Sequence, residues 1–202
     1  MSTANKSDKY YFDRGNDCFD RNDWIEAIEN YEKAIELDPK YWQAYYNLGL
    51  IYNILKQYNE AITSFTEVIN LNPDNSDAYN DRGLSYRYLG ELKLIELKEE
   101  KDSTKKNELA KKAMVNYNKA MENFNKAITL ENIRLAKFYN NLGVNCGGGG
   151  LIFSTFNKSK EAIGYFNKAK QCFQNSKRFN PNEKNYDYQI KDIEKLIETE
   201  MQ

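Results

Sequence analysis

A period of 34 residues is the strongest constraint on how this 202-residue chain can fold. Gly15, Gly49 and Gly83 follow one another at intervals of 34 residues, and the same interval separates Pro39 from Pro73. A fixed period of this length is typical of arrays built from one repeated supersecondary unit. Because a single unit cannot bury its apolar face alone, neighbouring units must stack against each other.

Each period contains the pattern of two amphipathic helices. In residues 42–75, apolar and small side chains recur at intervals of three and four, which places each group on one helical face. These positions are Tyr45, Leu48, Gly49, Tyr52, Ala61, Phe65 and Val68. The Asn59/Glu60 step and the Asn72-Pro73 dipeptide are typical of helix boundaries. The pattern predicts a helix–turn–helix whose small residues let the two helices approach closely.

This pattern resembles the tetratricopeptide repeat, a family whose members bind other proteins rather than catalyse reactions. The resemblance covers residues 8–41 and 42–75 in register. It implies an all-α fold, a right-handed α–α superhelix (a tetratricopeptide solenoid) of about four helical hairpins plus a C-terminal capping helix. We expect a single domain over residues 1–202, with further repeats at 76–135 and 136–183 and the capping helix at 184–202.

The third repeat carries an insertion at residues 91–115. Removing these residues joins Leu89-Gly90 to Asn116-Tyr117 in the register of the second repeat. The inserted segment has no glycine or proline, and an apolar three-four alternation runs from Leu109 into the repeat. We expect both helices to lengthen and protrude as an antiparallel hairpin that turns near residues 101–104. A disordered charged loop is the alternative.

The fourth repeat has 14 extra residues, which correspond to one heptad on each helix. The run Gly147–Gly150 has two interpretations, because four helical glycines cost about 4 kcal/mol relative to alanine and favour a break. However, Tyr139, Cys146 and Phe153 keep a helical spacing through the run. We favour a continuous helix whose glycines accept a close neighbour. A phosphate-binding loop is disfavoured, since no Lys-Ser/Thr follows and no strand precedes the run.

The last segment predicts a cap for the repeat array. A stripe of Tyr186, Ile190, Ile193 and Ile197 lies on an otherwise charged helix. The end of a solenoid needs such a helix, apolar inward and polar outward.

Composition excludes several function classes. The chain has no histidine, so it lacks the commonest general base. Its net charge is -1, so it lacks the basic surface that a nucleic-acid-binding protein needs. Cys18, Cys146 and Cys172 have no metal-ligand spacing and fit reduced cysteines in helices. The first residues contain no apolar run. We therefore expect a cytoplasmic protein that is not an enzyme, with no cofactor, metal, nucleic-acid partner or membrane insertion.

The resemblance also implies a binding groove on the inner face of the first helices, where tetratricopeptide proteins hold extended peptides. The register assigns to this groove Phe12, Asn16, Phe19, Tyr46, Asn47, Leu50, Asn53, Asn80, Asp81, Leu84, Arg87, Tyr88, Asn140, Asn141 and Val144. Asn47, Asp81 and Asn141 fall at one equivalent site per repeat. An asparagine offers both a donor and an acceptor to a peptide backbone. The alternative is that these are polar residues of a solvated face.

We expect an adaptor or scaffold that binds an extended partner segment in this groove. The alternative is a self-assembling structural protein that uses the elongated hairpins for oligomer contacts. The Hsp90- and Hsp70-binding co-chaperones of the family grip a C-terminal carboxylate with two asparagines and three basic residues. Asn16 and Asn47 match those asparagines, but Phe12, Asp77 and Asp81 occupy the basic positions. Neutral or basic segments are therefore favoured over the acidic Hsp90/Hsp70 tail.

Overall fold

The computed structural model describes residues 7–131 and 134–202. Within these ranges the chain forms nine α-helices and no β-strand. The helices are α1 (Asp8–Asp20), α2 (Trp24–Leu37), α3 (Trp42–Ile54), α4 (Tyr58–Leu71), α5 (Ser76–Glu99), α6 (Ser103–Leu130), α7 (Leu135–Thr155), α8 (Ser159–Phe179) and α9 (Asn185–Met201). The all-α prediction is confirmed there. Residues 1–6, and residues 132–133 within the predicted third repeat, lie outside the described residues.

The helices belong to two compact units, Met1–Asp81 and Arg82–Gln202, and the boundary falls within α5. In the first unit, α1 packs on α2, α2 on α3, and α3 on α4. In the second unit, α6 packs on α7, α7 on α8, and α8 on α9. Within each of these two series, helices that follow each other in the chain are therefore neighbours in space, as expected for stacked hairpins.

A glycine of the first helix lies against an aromatic ring of the second helix in each hairpin. The four pairs are Gly15–Tyr31, Gly49–Phe65, Gly83–Phe124 and Gly143–Phe173. A Cβ atom added to any of these glycines would lie 2.5 to 2.8 Å from the ring. Real Cβ atoms do not approach so closely, so the ring can touch the helix backbone only because the residue is glycine.

The elongated hairpins repeat this contact one heptad further along. Gly90 lies against the ring of Tyr117, with a Cβ-to-ring distance of 3.2 Å, and Gly150 lies against Phe166 at 2.5 Å. Each pair is seven residues away, on both helices, from the first glycine–aromatic pair of its repeat. The inserted residues therefore lengthen the hairpin without rotating its packed face.

Residues 91–115 form an ordered hairpin, because they continue α5 and open α6. Glu100 closes the turn by accepting hydrogen bonds from the backbone N–H groups of Lys101 and Asp102, at 2.7 and 2.9 Å. Asp102 in turn caps α6 by accepting from the N–H of Lys105 at 2.8 Å. The disordered-loop alternative is wrong.

The hairpin does not protrude alone, which corrects the sequence interpretation. Leu94 and Leu97 of α5 and Ala113 of α6 share one apolar cluster with Ile152 and Phe156 of α7. The extra residues of the fourth repeat supply the surface that buries the inserted hairpin. The two insertions are thus packed against each other rather than exposed separately.

Helix α7 runs through Gly147–Gly150 without a break, so the continuous-helix interpretation is confirmed. Three of the four glycines contact an aromatic ring so closely that a side chain at the glycine position would overlap the ring. The Cβ-to-ring distances are 2.6 Å from Gly148 to Tyr117, 2.9 Å from Gly149 to Tyr165 and 2.5 Å from Gly150 to Phe166. Gly147 meets only Ile193, at an ordinary 3.6 Å.

The last helix, α9, packs on α8. Tyr186 and Ile193 of its predicted stripe are buried, and Ile190 and Ile197 pack partly against the core of the second unit. Tyr188, on another face, is 66% exposed. The apolar side faces the core as a capping helix requires.

The glycine run generates a test with a control inside the same helix. Gly150→Ala should lower the free energy of unfolding by roughly 1–3 kcal/mol, because the new methyl group overlaps the Phe166 ring. Gly147→Ala should raise it by about 1 kcal/mol, since alanine has the better helix propensity and the site has room. Guanidinium unfolding followed by circular dichroism measures both. Equal midpoints for the two variants would contradict this packing.

The turns after α1, α3 and α7 share one backbone geometry. Asn22, Lys56 and Asn157 have φ angles of 59°, 59° and 53°, in the left-handed region. In each turn the following N–H bonds back to a carbonyl oxygen five residues earlier, at 2.8 to 3.0 Å. Asparagine tolerates this conformation, whereas for lysine it costs roughly 1–2 kcal/mol.

Lys56→Asn should therefore stabilise the first unit, by about 1 kcal/mol. Lys56→Gln is the matched control, because it removes the same charge but keeps a side chain that disfavours the left-handed region. Thermal or guanidinium unfolding compares the two. A glutamine variant as stable as the asparagine variant would show that charge, not backbone geometry, determines the effect.

Candidate partner-binding surface

The predicted groove residues are divided between the two units. In the first unit they are Phe12, Asn16, Phe19, Tyr46, Asn47, Leu50, Asn53, Asn80 and Asp81; in the second unit they are Leu84, Arg87, Tyr88, Asn140, Asn141 and Val144. All of them except Asn80 and Asp81 are partly exposed.

In the first unit, Asn16 and Asn47 meet at the hydroxyl group of Tyr31. The Asn47 NH₂ group donates to the Asn16 carbonyl oxygen at 2.9 Å and to the Tyr31 oxygen at 3.1 Å. The Tyr31 hydroxyl donates to the same Asn16 oxygen at 2.8 Å. These three bonds do not engage the Asn16 NH₂ group or the Asn47 carbonyl oxygen. One donor and one acceptor therefore lie outside the network.

Tyr31 connects this network to the fold, because its ring is the one that lies against Gly15. Burial raises the pKa of Tyr31 to about 12, although the hydrogen bond from Asn47 acts in the opposite direction. The hydroxyl therefore keeps its proton, and can donate, throughout the physiological range.

Asn80 and Asp81 offer little surface to a partner. Asn80 has no exposed area and Asp81 is 6% exposed. One carboxylate oxygen of Asp81 accepts from the Tyr46 hydroxyl at 2.6 Å, and the other accepts from the Asn80 NH₂ group at 2.8 Å. The two residues hold Tyr46 in place rather than lining an open surface. The register puts Asp81 and Asn47 at equivalent positions, but their neighbours give them different surroundings.

Aromatic rings flank the asparagine network. The Phe12 ring centroid lies 5.7 Å from that of Tyr31 and 4.7 Å from that of Tyr41. Phe19 packs edge-on against Trp24 at 5.3 Å. Because Phe12 and Phe19 are only half-buried, they add apolar area beside the two asparagines.

In the second unit, Arg87 is held by its own helix. It forms an ion pair with Glu91, and its guanidinium carbon lies 4.6 Å from the centre of the Tyr88 ring. The Arg87 Nε atom and the Asn140 side-chain oxygen are buried and have no hydrogen-bond partner. Each of these two atoms lacks the hydrogen bond that water would give it. A ligand or an ordered water that supplies a partner would therefore be favoured at either atom.

Asn145 is a buried polar residue between α6 and α7 that sequence reasoning missed. It is 2% exposed, and its NH₂ group donates to the backbone carbonyl oxygen of Tyr117 at 2.9 Å, which joins α7 to α6. Its side-chain oxygen is buried without a partner. The sequence feature that could have identified Asn145 is its position four residues after Asn141, one helical turn further along α7.

Two further features bear on function. No helix within residues 7–131 and 134–202 has the length and apolar character needed to cross a membrane. Over the same ranges, no group of three or more acidic or cysteine side chains could hold a metal ion. The three cysteines are buried and form no disulfide.

Antiparallel helix pairs repeated along the chain define a helical-repeat protein. Residues 15–53 match the family described as TPR repeat, and residues 42–75 match the family described as tetratricopeptide repeat. Residues 15–75 are therefore tetratricopeptide repeats, and the resemblance inferred from the 34-residue period is confirmed for this part of the chain.

Known proteins are similar to the chain in sequence over a short segment and in fold over a longer one. An uncharacterized protein of Methanocaldococcus jannaschii is 38% identical over 53 residues, which are 26% of this chain and 62% of that protein. The chain thus spans less than two thirds of that relative. The crystal structure of MamA has a TM-score of 0.56 at 23% identity, over 85% of this chain and 81% of that chain.

A second solved structure is that of the first TPR of Spaghetti (RPAP3), determined with the HSP90 peptide SRMEEVD. It has a TM-score of 0.52 at 20% identity and covers 69% of this chain and 90% of that chain. At these identities the likeness concerns the fold alone, and the tetratricopeptide-type fold is confirmed.

Tyr31→Phe should test the role of the hydroxyl at the asparagine network. Removing it should lower the free energy of unfolding by about 1 kcal/mol at neutral pH. The pKa of Tyr31 in the folded chain lies above the usual value of about 10. The hydroxyl group therefore stabilises the fold fully below pH 10, and this stabilisation is lost as the pH rises to about 12. Denaturant unfolding at several pH values measures this difference. Tyr188→Phe, at an exposed position, is the control and should leave the free energy of unfolding nearly unchanged at neutral pH.

Proposed function

We propose that the chain is a non-enzymatic cytoplasmic adaptor that binds an extended segment of a partner protein on the face of α1 and α3 that carries the predicted groove residues of the first unit. The arrangement of Asn16, Asn47 and Tyr31 carries this proposal. Three hydrogen bonds fix two amides on a partly exposed face and leave a donor and an acceptor outside the network. A peptide backbone presents the complementary carbonyl and N–H groups whatever its sequence.

The fold likeness to the RPAP3 domain supports this proposal, because that domain was solved with a bound peptide. The side chains on this face of the first unit favour a peptide of different charge. Two carboxylates, Asp77 and Asp81, and the ring of Phe12 stand where the chaperone-binding branch of the family carries cations. An acidic tail would meet like charge at this face, whereas a neutral or basic segment would not.

A self-assembling protein is the second candidate. The inserted hairpin exposes Leu92, Ile95 and Val115 at 45%, 56% and 53%. Exposed apolar side chains on neighbouring turns are one way in which a helical pair can contact a second copy. Sedimentation at micromolar concentration separates the candidates, because a monomer favours the adaptor.

Calorimetric titration with two peptides tests the proposed partner chemistry. The peptide SRMEEVD should not bind appreciably, whereas a version with lysine at its three acidic positions should bind and weaken as salt is added. Asn47→Ala should weaken that binding by about tenfold, a loss of about 1.4 kcal/mol. Asn59→Ala, at an exposed position at the start of α4, is the control.

Micromolar affinity for SRMEEVD with none for the lysine version would overturn the charge assignment. Failure of both peptides to bind would contradict the proposed groove. Binding that is unchanged in Asn47→Ala would place the peptide elsewhere on the molecule.

A further inference from the structure

The first unit has a cavity on the face of α3 away from the predicted groove residues. Helix α3 directs Tyr46, Asn47 and Leu50 to one side, and residues 45, 48 and 52 fall roughly half a turn away. The cavity lies there, between α2, α3 and α4, and its volume is about 490 Å³. That volume falls within the range of about 300–1,000 Å³ found for ligand pockets.

The floor of the cavity is apolar. Ile35, Leu48 and Tyr52 line it, and all three belong to the core cluster of the first unit. Leu48 is 5% exposed. Tyr45 adds a second aromatic ring. An occupant of this cavity would therefore have to bring aliphatic or aromatic surface.

The rim of the cavity is acidic. Glu32 and Glu36 come from α2, Glu60 and Glu67 come from α4, and no lysine or arginine lines the cavity. None of the ion pairs formed within the described residues involves these four glutamates. They also do not converge as a metal site in that part of the chain. Four uncompensated carboxylates thus surround an apolar floor.

The tyrosines on the floor show that these charges reach the cavity. Burial raises the pKa of Tyr52, and the charges of Glu32 and Glu60 raise it further. Burial likewise raises the pKa of Tyr45, with a contribution from Glu67. Helices on two sides therefore direct negative potential onto the same surface. A concave, apolar-walled surface concentrates such a potential.

We propose that this cavity, defined by Glu32, Ile35, Tyr45, Leu48, Tyr52 and Glu67, is a second docking site that takes a basic amphipathic segment of a partner protein. Lysine and arginine cover apolar surface with their aliphatic stems and keep the charge at the edge. Here the stem lies on Ile35 and Leu48 and the cation lies among the glutamates. The rings of Tyr45 and Tyr52 add attraction for the same cation. An acidic or purely apolar occupant would leave the rim uncompensated.

Fluorescence anisotropy with the full chain tests the proposal. The probe is a labelled peptide of alternating arginine and leucine, and its partner peptide has glutamate in place of arginine. The arginine peptide should bind and the glutamate peptide should not. Glu32→Gln/Glu67→Gln should weaken binding by at least about tenfold, because it removes two rim charges and keeps the shape. Neither position lies in the first turn of its helix, so helix stability changes little.

Three further variants separate this site from the others. Glu29→Gln/Asp74→Asn removes two exposed charges outside the cavity and should leave the affinity within about twofold. Thr63→Lys places a cation in the cavity from its exposed edge and should abolish binding. Asn47→Ala weakens the proposed groove, which also favours basic segments, so Glu32→Gln/Glu67→Gln is compared in that background as well, where its tenfold effect should persist.

Any of four results overturns the proposal: no binding of the arginine peptide, equal binding of the glutamate peptide, unchanged affinity in Glu32→Gln/Glu67→Gln, or loss of the effect of that double variant in the Asn47→Ala background. The last result would place the peptide in the groove. Failure at this cavity would leave the groove proposal intact, because the two sites are tested by different variants.

Discussion

The contact between a glycine backbone and an aromatic ring is the interaction on which the hairpins depend. It occurs once in each ordinary repeat, twice in the third repeat and three times between the two helices of the fourth. Because the ring lies directly on the helix backbone, it fixes how closely the two helices approach. In the first hairpin the ring is a tyrosine, Tyr31, and its hydroxyl passes beyond the contact to reach Asn16 and Asn47. The same side chain therefore closes the hairpin and organises the surface beside it.

Most of the fold could be predicted, because its determinants are periodic. The 34-residue interval and the helical spacing within it set the number, order and pairing of the helices, and the apolar stripe through Gly147–Gly150 outweighed the poor helix propensity of glycine. The packing of the inserted hairpin on α7 could not be predicted. It depends on contacts such as Leu97 with the Ile152 cluster, which join two insertions that have no common register.

The candidate surfaces were less predictable for a related reason. Register identifies which residues occupy equivalent positions, but not what lies opposite them. Asp81 is buried and accepts a hydrogen bond from the Tyr46 hydroxyl, and the cavity below α3 is acidic because glutamates from two different repeats face it. The outcome is two faces of one helix with different chemistry. Amides and aromatic rings lie on one face, and carboxylates over an apolar floor lie on the other.

The cluster shared by Leu94, Leu97, Ile152 and Phe156 also has a consequence for how this chain can change over generations. Each extension covers the apolar side of the other, so loss of either one alone would leave that side in water. The two insertions, although separated in the sequence, therefore depend on each other for the burial of their apolar side chains. A descendant that shortens the third repeat must also shorten the fourth, or replace its apolar residues.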